Sequence, residues 1–421
     1  MRRKTIEFVS ILVWVISLPV LAQTSPEAVA VSLNDLVEEA LRQNPAIQAA
    51  RQALEAKRAL ILPARTLPDP LISFQTMGNL VPPSLQTGDP SSGRTLSIEQ
   101  EVPYPGKLGL QGKIAETEAQ AESWNYEQTR REVVAELKLA YYDLYLIHQS
   151  IETVQKDKSL LEDVARIADA RYRVGQGLQQ DVLKAQVEVS RLIDRLTVLE
   201  QQKGVAEAML NRLLYRPTDT PMARPAPFGK ATLRYSFPEL SRLAETAFAP
   251  LKMQEREIDR GQYAVQLARK QFRPDFAFGF TYFNRSALPE MYGLMVSARL
   301  PLYYWRRQRP ELASATASLL GAQKQRESIG SLLILKLKDA YLKATTSERL
   351  MELYLGGVIP QATLSFESAT AGYQVGRVDF LTLVDNLVTL LEYELRYHQA
   401  LTEYQKALAE LEALVGAEVT R

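Results

Sequence analysis

Asp275-Phe276-Ala277-Phe278-Gly279-Phe280-Thr281-Tyr282-Phe283 is the stretch on which the fold turns. Phe276, Phe278, Phe280 and Tyr282 alternate with Ala277, Gly279 and Thr281, a period of two that puts aromatics on one face of a strand and small residues on the other. Just downstream, Tyr292, Leu294, Val296, Ala298 and Leu300 alternate with Gly293, Met295, Ser297 and Arg299. The pattern also occurs earlier. Ile72, Phe74 and Thr76 oppose Ser73 and Gln75, and Leu96, Ile98 and Val102 oppose Ser97, Glu99 and Glu101. Four strands are predicted, at about 71–77, 95–102, 275–283 and 292–300, each with an apolar face and a small or polar one. A half-buried sheet on a soluble domain would show the same alternation. Four twisted strands, however, leave two open edges. A barrel shared between subunits removes them, and three chains would supply twelve strands.

The strands sit in a chain written twice. Leu137-Lys138-Leu139-Ala140-Tyr141 matches Leu337-Lys338-Asp339-Ala340-Tyr341, and Tyr172-Arg173-Val174-Gly175 matches Tyr373-Gln374-Val375-Gly376. Pro45, Pro68-Asp69 and Pro103 match Pro250, Pro274-Asp275 and Pro301, all at offsets of about 200 residues and in the same order. So long a period means that each half is a motif of several elements. Between the halves, residues 215–236 carry Pro217, Pro221, Pro225 and Pro227, which stop helices and favour an extended linker. The expected organisation is a first repeat at 23–214, this linker, a second repeat at 237–416 and a short tail at 417–421.

Each half reads short helix, longer helix, two strands, a very long helix, a Gly-containing turn and a further long helix. The first two are expected at 33–42 and 46–62, and again at 237–247 and 251–271. Residues 108–170 contain no proline and could form a helix of roughly 90–95 Å at ~1.5 Å per residue. Its counterpart carries Gly356, Gly357 and Pro360, which should break or kink it. After the turns, Leu178, Val182, Ala185, Val189, Leu192, Leu196 and Leu199 alternate spacings of four and three, as do Leu383, Leu387, Leu390, Tyr397, Leu401, Tyr404, Leu408, Leu411 and Val415, interrupted by Glu394. Sustained heptads of this kind predict coiled-coil packing.

The chain has 421 residues, 50 Lys+Arg against 49 Asp+Glu, two histidines and no cysteine. No cysteine means no disulfide, no thiol nucleophile, no Cys-based metal site and no lipid on an N-terminal Cys. Balanced, interspersed charge argues against nucleic acid as a partner. Arg2, Arg3 and Lys4 precede an apolar run from Phe8 to Leu21 and the small residue Ala22, which reads as a signal peptide over 1–22 cleaved before Gln23. A membrane anchor is the rival reading, but the run is shorter than the ~20 residues of a spanning helix. No later stretch is long and apolar enough to span as a helix, which leaves a β-barrel open.

Taken together, these features resemble the TolC-like outer-membrane efflux protein family over essentially the whole chain after the signal peptide. The Tyr-x-x-Gly turn appears twice between long helices. The strand exit Glu101-Val102-Pro103-Tyr104-Pro105-Gly106-Lys107-Leu108 looks like that of the heavy-metal branch, and Leu300-Pro301-Leu302-Tyr303 is its partner in the second half. The resemblance implies a mainly α protomer with a small β part, forming a homotrimer with a twelve-stranded barrel in outer-membrane lipid and an α-helical tunnel through the periplasm. It implies a passive exit duct rather than an enzyme, without cofactors. Its partners would be a periplasmic adaptor and an inner-membrane pump of the RND type. Tyr172, Arg173, Val174, Gly175, Gln374, Val375 and Gly376 would form the adaptor-contacting tips, and Phe276, Phe278, Phe280 and Tyr282 would face lipid.

The family's gate residues carry over by position. Asp181 stands six residues after Gly175, where the family has a carboxylate, and Tyr373 is its expected partner. A family arginine falls on Val378, with Arg377 one residue early. Of two constricting aspartates, the first falls on Thr382 and the second on Asp385, so one carboxylate ring is expected. Like charges in such a ring repel, draw cations and raise proton affinity. Asp181 would equally suit an ordinary first turn of a helix, and Tyr373 simple packing. Gly175 and Gly376 should be required for a left-handed turn.

The remaining polar groups read as structural. Glu99 and Glu101 fit lumen-lining charge better than a catalytic pair, and Arg306, Arg307 and Arg309 fit a strand end at the membrane–water boundary. His148 and His398, far apart on helices, fit surface or packing roles better than metal ligation. The rival to the duct is a soluble periplasmic coiled-coil scaffold or adaptor, which should lack both the paired strands and the duplication.

Overall fold

The computed structural model describes residues 31–79, 83–85, 89–285 and 288–420; the expected signal peptide lies outside them. The chain begins with α1 (Leu33–Gln43), α2 (Pro45–Ala59) and the short α3 (Ile61–Arg65). Strands β1 (Leu71–Met77) and β2 (Gly93–Val102) follow, then α4 (Lys107–Arg173) and α5 (Gln179–Leu213). The second half repeats the order with α6 (Phe237–Ala247), α7 (Ala249–Lys270), β3 (Asp275–Arg285), β4 (Met291–Arg299) and α8 (Gln308–Leu353). A π turn (Tyr354–Val358) joins α8 to α9 (Ile359–Gln374), and α10 (Phe380–Val415) ends the fold.

Two boundaries differ from expectation for a readable reason. The helix expected at 46–62 breaks at Leu60. Pro63 has no N–H to give to the carbonyl of Ala59, and its ring crowds that carbonyl, so α2 stops there and α3 starts afresh. In the second half Pro360 likewise cannot bond to the carbonyl of Gly356. The helix widens into the π turn across Gly356 and Gly357 rather than ending. The strands deviate by one or two residues: β2 starts at Gly93, β3 runs on to Arg285, and β4 shifts to Met291–Arg299.

The four strands form one antiparallel sheet in the order β1-β2-β3-β4. Its register collects the alternating residues. Ile72 pairs with Ile98, Ile98 with Phe280 and Phe280 with Leu294; Phe74, Leu96, Tyr282 and Tyr292 form the next such row. One face is therefore apolar across all four strands, and it is solvent-exposed in the single protomer. On the other face Ser73 and Ser97 hydrogen-bond at 2.7 Å, and Arg299 pairs with Glu101 at 2.8 Å. A soluble protein would bury the first face and expose the second.

Helix packing follows the heptads. Leu383 and Leu387 of α10 meet Leu161, Val164 and Ala168 of α4, and Ala185 of α5 joins the same cluster. Higher up, Leu401, Tyr404, Leu408 and Leu411 pack with Leu333, Leu337 and Ala340 of α8. Helix α4 touches α5 and α10, and α10 touches α8 and α9, so α5 and α8–α9 lie at opposite edges of a helical wall. Residues 215–236 are fastened across this wall rather than loose. Tyr404 Oη donates to the Ala231 carbonyl at 2.8 Å, and Phe228 packs on Tyr142 and Tyr145. The tail is fastened too: Val419 is buried in the main core and Thr420 bridges to Leu233.

Candidate gate at the helix tips

The far ends of the helical pairs are two turns with one geometry. In the first, Gly175 takes φ +74° and donates its N–H to the Tyr172 carbonyl at 2.9 Å. In the second, Gly376 takes φ +74° and donates to the Tyr373 carbonyl at 3.1 Å. A left-handed residue at this place closes a helix, and only glycine adopts it without cost. Helix α10 is then capped by Asp379, which accepts from the Thr382 N–H at 2.8 Å. Helix α5 is preceded by Leu178, which offers no side-chain cap.

Around these identical turns the side chains differ. Tyr172 is 43% exposed, whereas Tyr373 is only 3% exposed. Tyr373 Oη donates to Asp181 Oδ2 at 3.3 Å, across 192 positions of sequence, and its ring packs edge-on against Phe380 at 5.7 Å. Burial and the neighbouring Asp181 charge push the Tyr373 hydroxyl up to about 12, opposed by Arg171. The phenol therefore stays protonated and remains the donor.

Arg171 is the residue that sequence reasoning missed. Its guanidinium lies 4.7 Å from the centre of the Tyr373 ring, and its Nη2 donates to the Gln176 carbonyl at 3.1 Å. One arginine of the first repeat thus clamps both turns. Its counterpart in the second repeat is Gly372, where an added Cβ would come within 2.5 Å of Val378 Cγ2. Arg377 is exposed, and its side chain forms no hydrogen bond, ion pair or ring contact among the described residues. Asp385 is also exposed, two residues after the buried Leu383 and so on the opposite side of α10. Val174, Val375, Leu178 and Leu381 leave the tips bare and apolar.

Higher in α4, Asp157 continues the core stripe Val154, Leu161, Val164, Ala168 and is fully buried, 0% exposed. Neither carboxylate oxygen has a hydrogen-bond partner among the described residues. Burial first, and then the Glu394 charge, raise its pKa to about 7, against a lowering by Lys156. Lys156 itself pairs with Glu394 at 2.8 Å.

An exposed apolar sheet carried on duplicated helical hairpins defines a protomer of the TolC-like outer-membrane channels. The chain belongs to the outer membrane efflux protein family, whose model matches residues 36–214 and 244–417. Among curated proteins it is 21% identical over 392 residues to the cobalt-zinc-cadmium resistance protein CzcC of Cupriavidus metallidurans, covering 88% of this chain and 86% of the relative. The fold is shared with VceC of Vibrio cholerae (TM-score 0.79, 18% identity, 92% of this chain and 96% of that one). It is shared also with the open state of the Neisseria gonorrhoeae MtrE channel (TM-score 0.76, 15% identity, 92% and 90%). VceC is an outer membrane protein and MtrE an outer membrane channel, and membership of the efflux family makes the chain a channel protein rather than an enzyme.

Proposed function

We propose that three copies of this chain form a passive exit duct across the outer membrane and the periplasm, receiving cargo from an inner-membrane pump through a periplasmic adaptor. One observation carries the reading: the protomer is open at both edges in both layers. Among the described residues, strands β1 and β4 each lack a neighbour on one side. Helices α5 and α8–α9 bear exposed apolar side chains such as Leu183, Val187, Leu335 and Leu364. Because β1 and β4 are antiparallel, joining β4 of one copy to β1 of the next continues the alternation around a closed barrel. Two copies would give eight strands, whose interior side chains fill; three leave an aqueous lumen. The face of Phe276, Phe278, Phe280 and Tyr282 then meets lipid, and that of Ser97, Glu99 and Glu101 meets water.

In this reading the tips form the gate. The Tyr373–Asp181 contact holds the two hairpins of one copy together, and Asp385 supplies one ring of three carboxylates. The bare apolar turns at 172–175 and 374–376 are the surface for the adaptor. The cargo is a divalent metal cation, as the resistance named for CzcC suggests. A soluble scaffold is disfavoured by the exposed apolar sheet. Native mass spectrometry of detergent-extracted protein tests the assembly: three chains are expected, and a water-soluble single chain would overturn the duct.

A further inference from the structure

The two strand exits toward the helices differ sharply. After β2, Lys107 is buried and bonds both oxygens of Asp275 at 2.8 and 2.9 Å. The Tyr104 N–H also donates to Asp275, at 2.7 Å, and Lys270 Nζ donates to the Pro105 carbonyl at 2.9 Å. That exit is fastened inside the protomer. After β4 the chain runs Leu300-Pro301-Leu302-Tyr303-Tyr304-Trp305-Arg306, and its apolar side chains are bare. Trp305 is 52% exposed. The group is nevertheless well built. Trp305 stands edge-on to Tyr303 at 6.1 Å and to Tyr304 at 5.3 Å, and Tyr304 leans on Phe272 at 6.4 Å.

The other edge of the protomer offers a matching hollow at the same end of the sheet. Leu62, Leu67 and Pro68, before β1, line a pocket of about 810 Å³ together with Pro103 and Leu108. Leu62 there is 74% exposed. Beside the hollow, the carboxylate of Asp69 is exposed and has no hydrogen-bond or ion-pair partner among the described residues. Beside the aromatic group, the guanidinium of Arg306 is likewise unpaired.

The sheet order decides what brings the two together. β4 runs toward the helices and β1 away from them, so a head-to-tail junction of β4 with β1 of a second copy places residues 300–306 of one copy next to residues 62–69 of the other. We infer that the Tyr303–Trp305 aromatic group seats in the Leu62–Leu108 pocket of a second copy of this chain, with Arg306 pairing Asp69, as a fastener where barrel meets helical tunnel. The inference rests on the proposed ring of copies and adds its contact. Opposite shape and opposite charge on the two edges, together with the open strand edges above them, select a second copy over lipid as the occupant. Aromatic anchors that fill a pocket are typical of the few residues that dominate an interface.

The absence of cysteine makes the test clean. A D69C/R306C double variant, oxidised in isolated outer membranes, should give disulfide-linked species of two and three chains, with neither single variant doing so. W305A should dissociate from the assembly about tenfold faster, or more, on heating in detergent. Charge-swapped D69R/R306D should recover the stability that R306D alone loses. If the unsubstituted protein is a three-chain assembly but the double-cysteine variant does not cross-link, or W305A dissociates at the normal rate, this contact is wrong and the duct reading stands. If the unsubstituted protein is a single chain, both fall. Quenching of Trp305 by brominated acyl chains in place of cross-linking would assign the aromatic group to lipid and overturn the contact.

Discussion

The two Tyr-x-x-Gly turns share one backbone, yet Tyr172 points to solvent and Tyr373 is buried against Asp181 and beneath Arg171. The comparison extends along the repeats. Helix α4 runs unbroken for 67 residues, whereas its counterpart is split by the π turn. The exit after β2 is locked by a buried ion pair, whereas the exit after β4 is bare. Duplication supplied two copies of each device. The glycine turn is kept in both because the backbone demands it. The side-chain contact is made once, because the second repeat has Gly372 and Thr382 where the first has Arg171 and Asp181.

The most demanding test of this asymmetry is conductance. The D181A/Y373A double variant is expected to raise single-channel conductance in planar bilayers severalfold, while Y172A leaves it within about a fifth of the original value. Equal effects at the two tyrosines would erase the distinction. Next in size is the exit. Lys107→Ala leaves the half-buried Asp275 with only the Tyr104 N–H and should cost about 1.5–3 kcal/mol of protomer stability, the usual range for a hydrogen bond to a charged group. Arg307→Ala, which removes only a solvent-exposed 3.4 Å pair with Glu311, should cost under about 0.5 kcal/mol. Heat dissociation in detergent ranks the two.

A smaller effect is expected at Asp157, and it depends on pH. Its pKa of about 7 lies above the ordinary 3.8, so folding takes up a proton. The penalty for burying it is absent below about pH 4, grows as pH rises and is complete above about pH 7. D157N should therefore raise the melting midpoint by a few degrees at pH 8 and hardly at all at pH 4. A pH-independent gain would mean that repacking, not ionisation, is responsible. R171A should cost about 0.5–1 kcal/mol through loss of the ring contact, and R377A, the smallest effect of all, should be near zero. The same melting experiment separates them.

Much of this molecule was legible before any coordinates. Strand alternation at Phe276–Tyr282, glycine at 175 and 376, and the heptads of α10 are local periodicities, and local periodicity is what sequence displays directly. The helix break at Leu60 was legible in principle, since Pro63 fixes it through the Ala59 carbonyl. Arg171 was not. Its partner ring lies about 200 positions away, and no spacing rule links a residue at one helix end to an aromatic at another hairpin. The burial of Asp157 was hidden for a related reason. Its place in the stripe of α4 can be counted, but a lone carboxylate in a helix of 67 residues reads as surface until α10 is laid against it.

The open sheet edges also bear on how the protein is made. A single copy on its way to the proposed duct would carry two open strand edges and a broad apolar face, the surface that invites mispairing and aggregation. Such a chain cannot finish folding alone and wait for its fellows. In the proposed duct, strand closure, entry into lipid and the meeting of copies would be steps of one event.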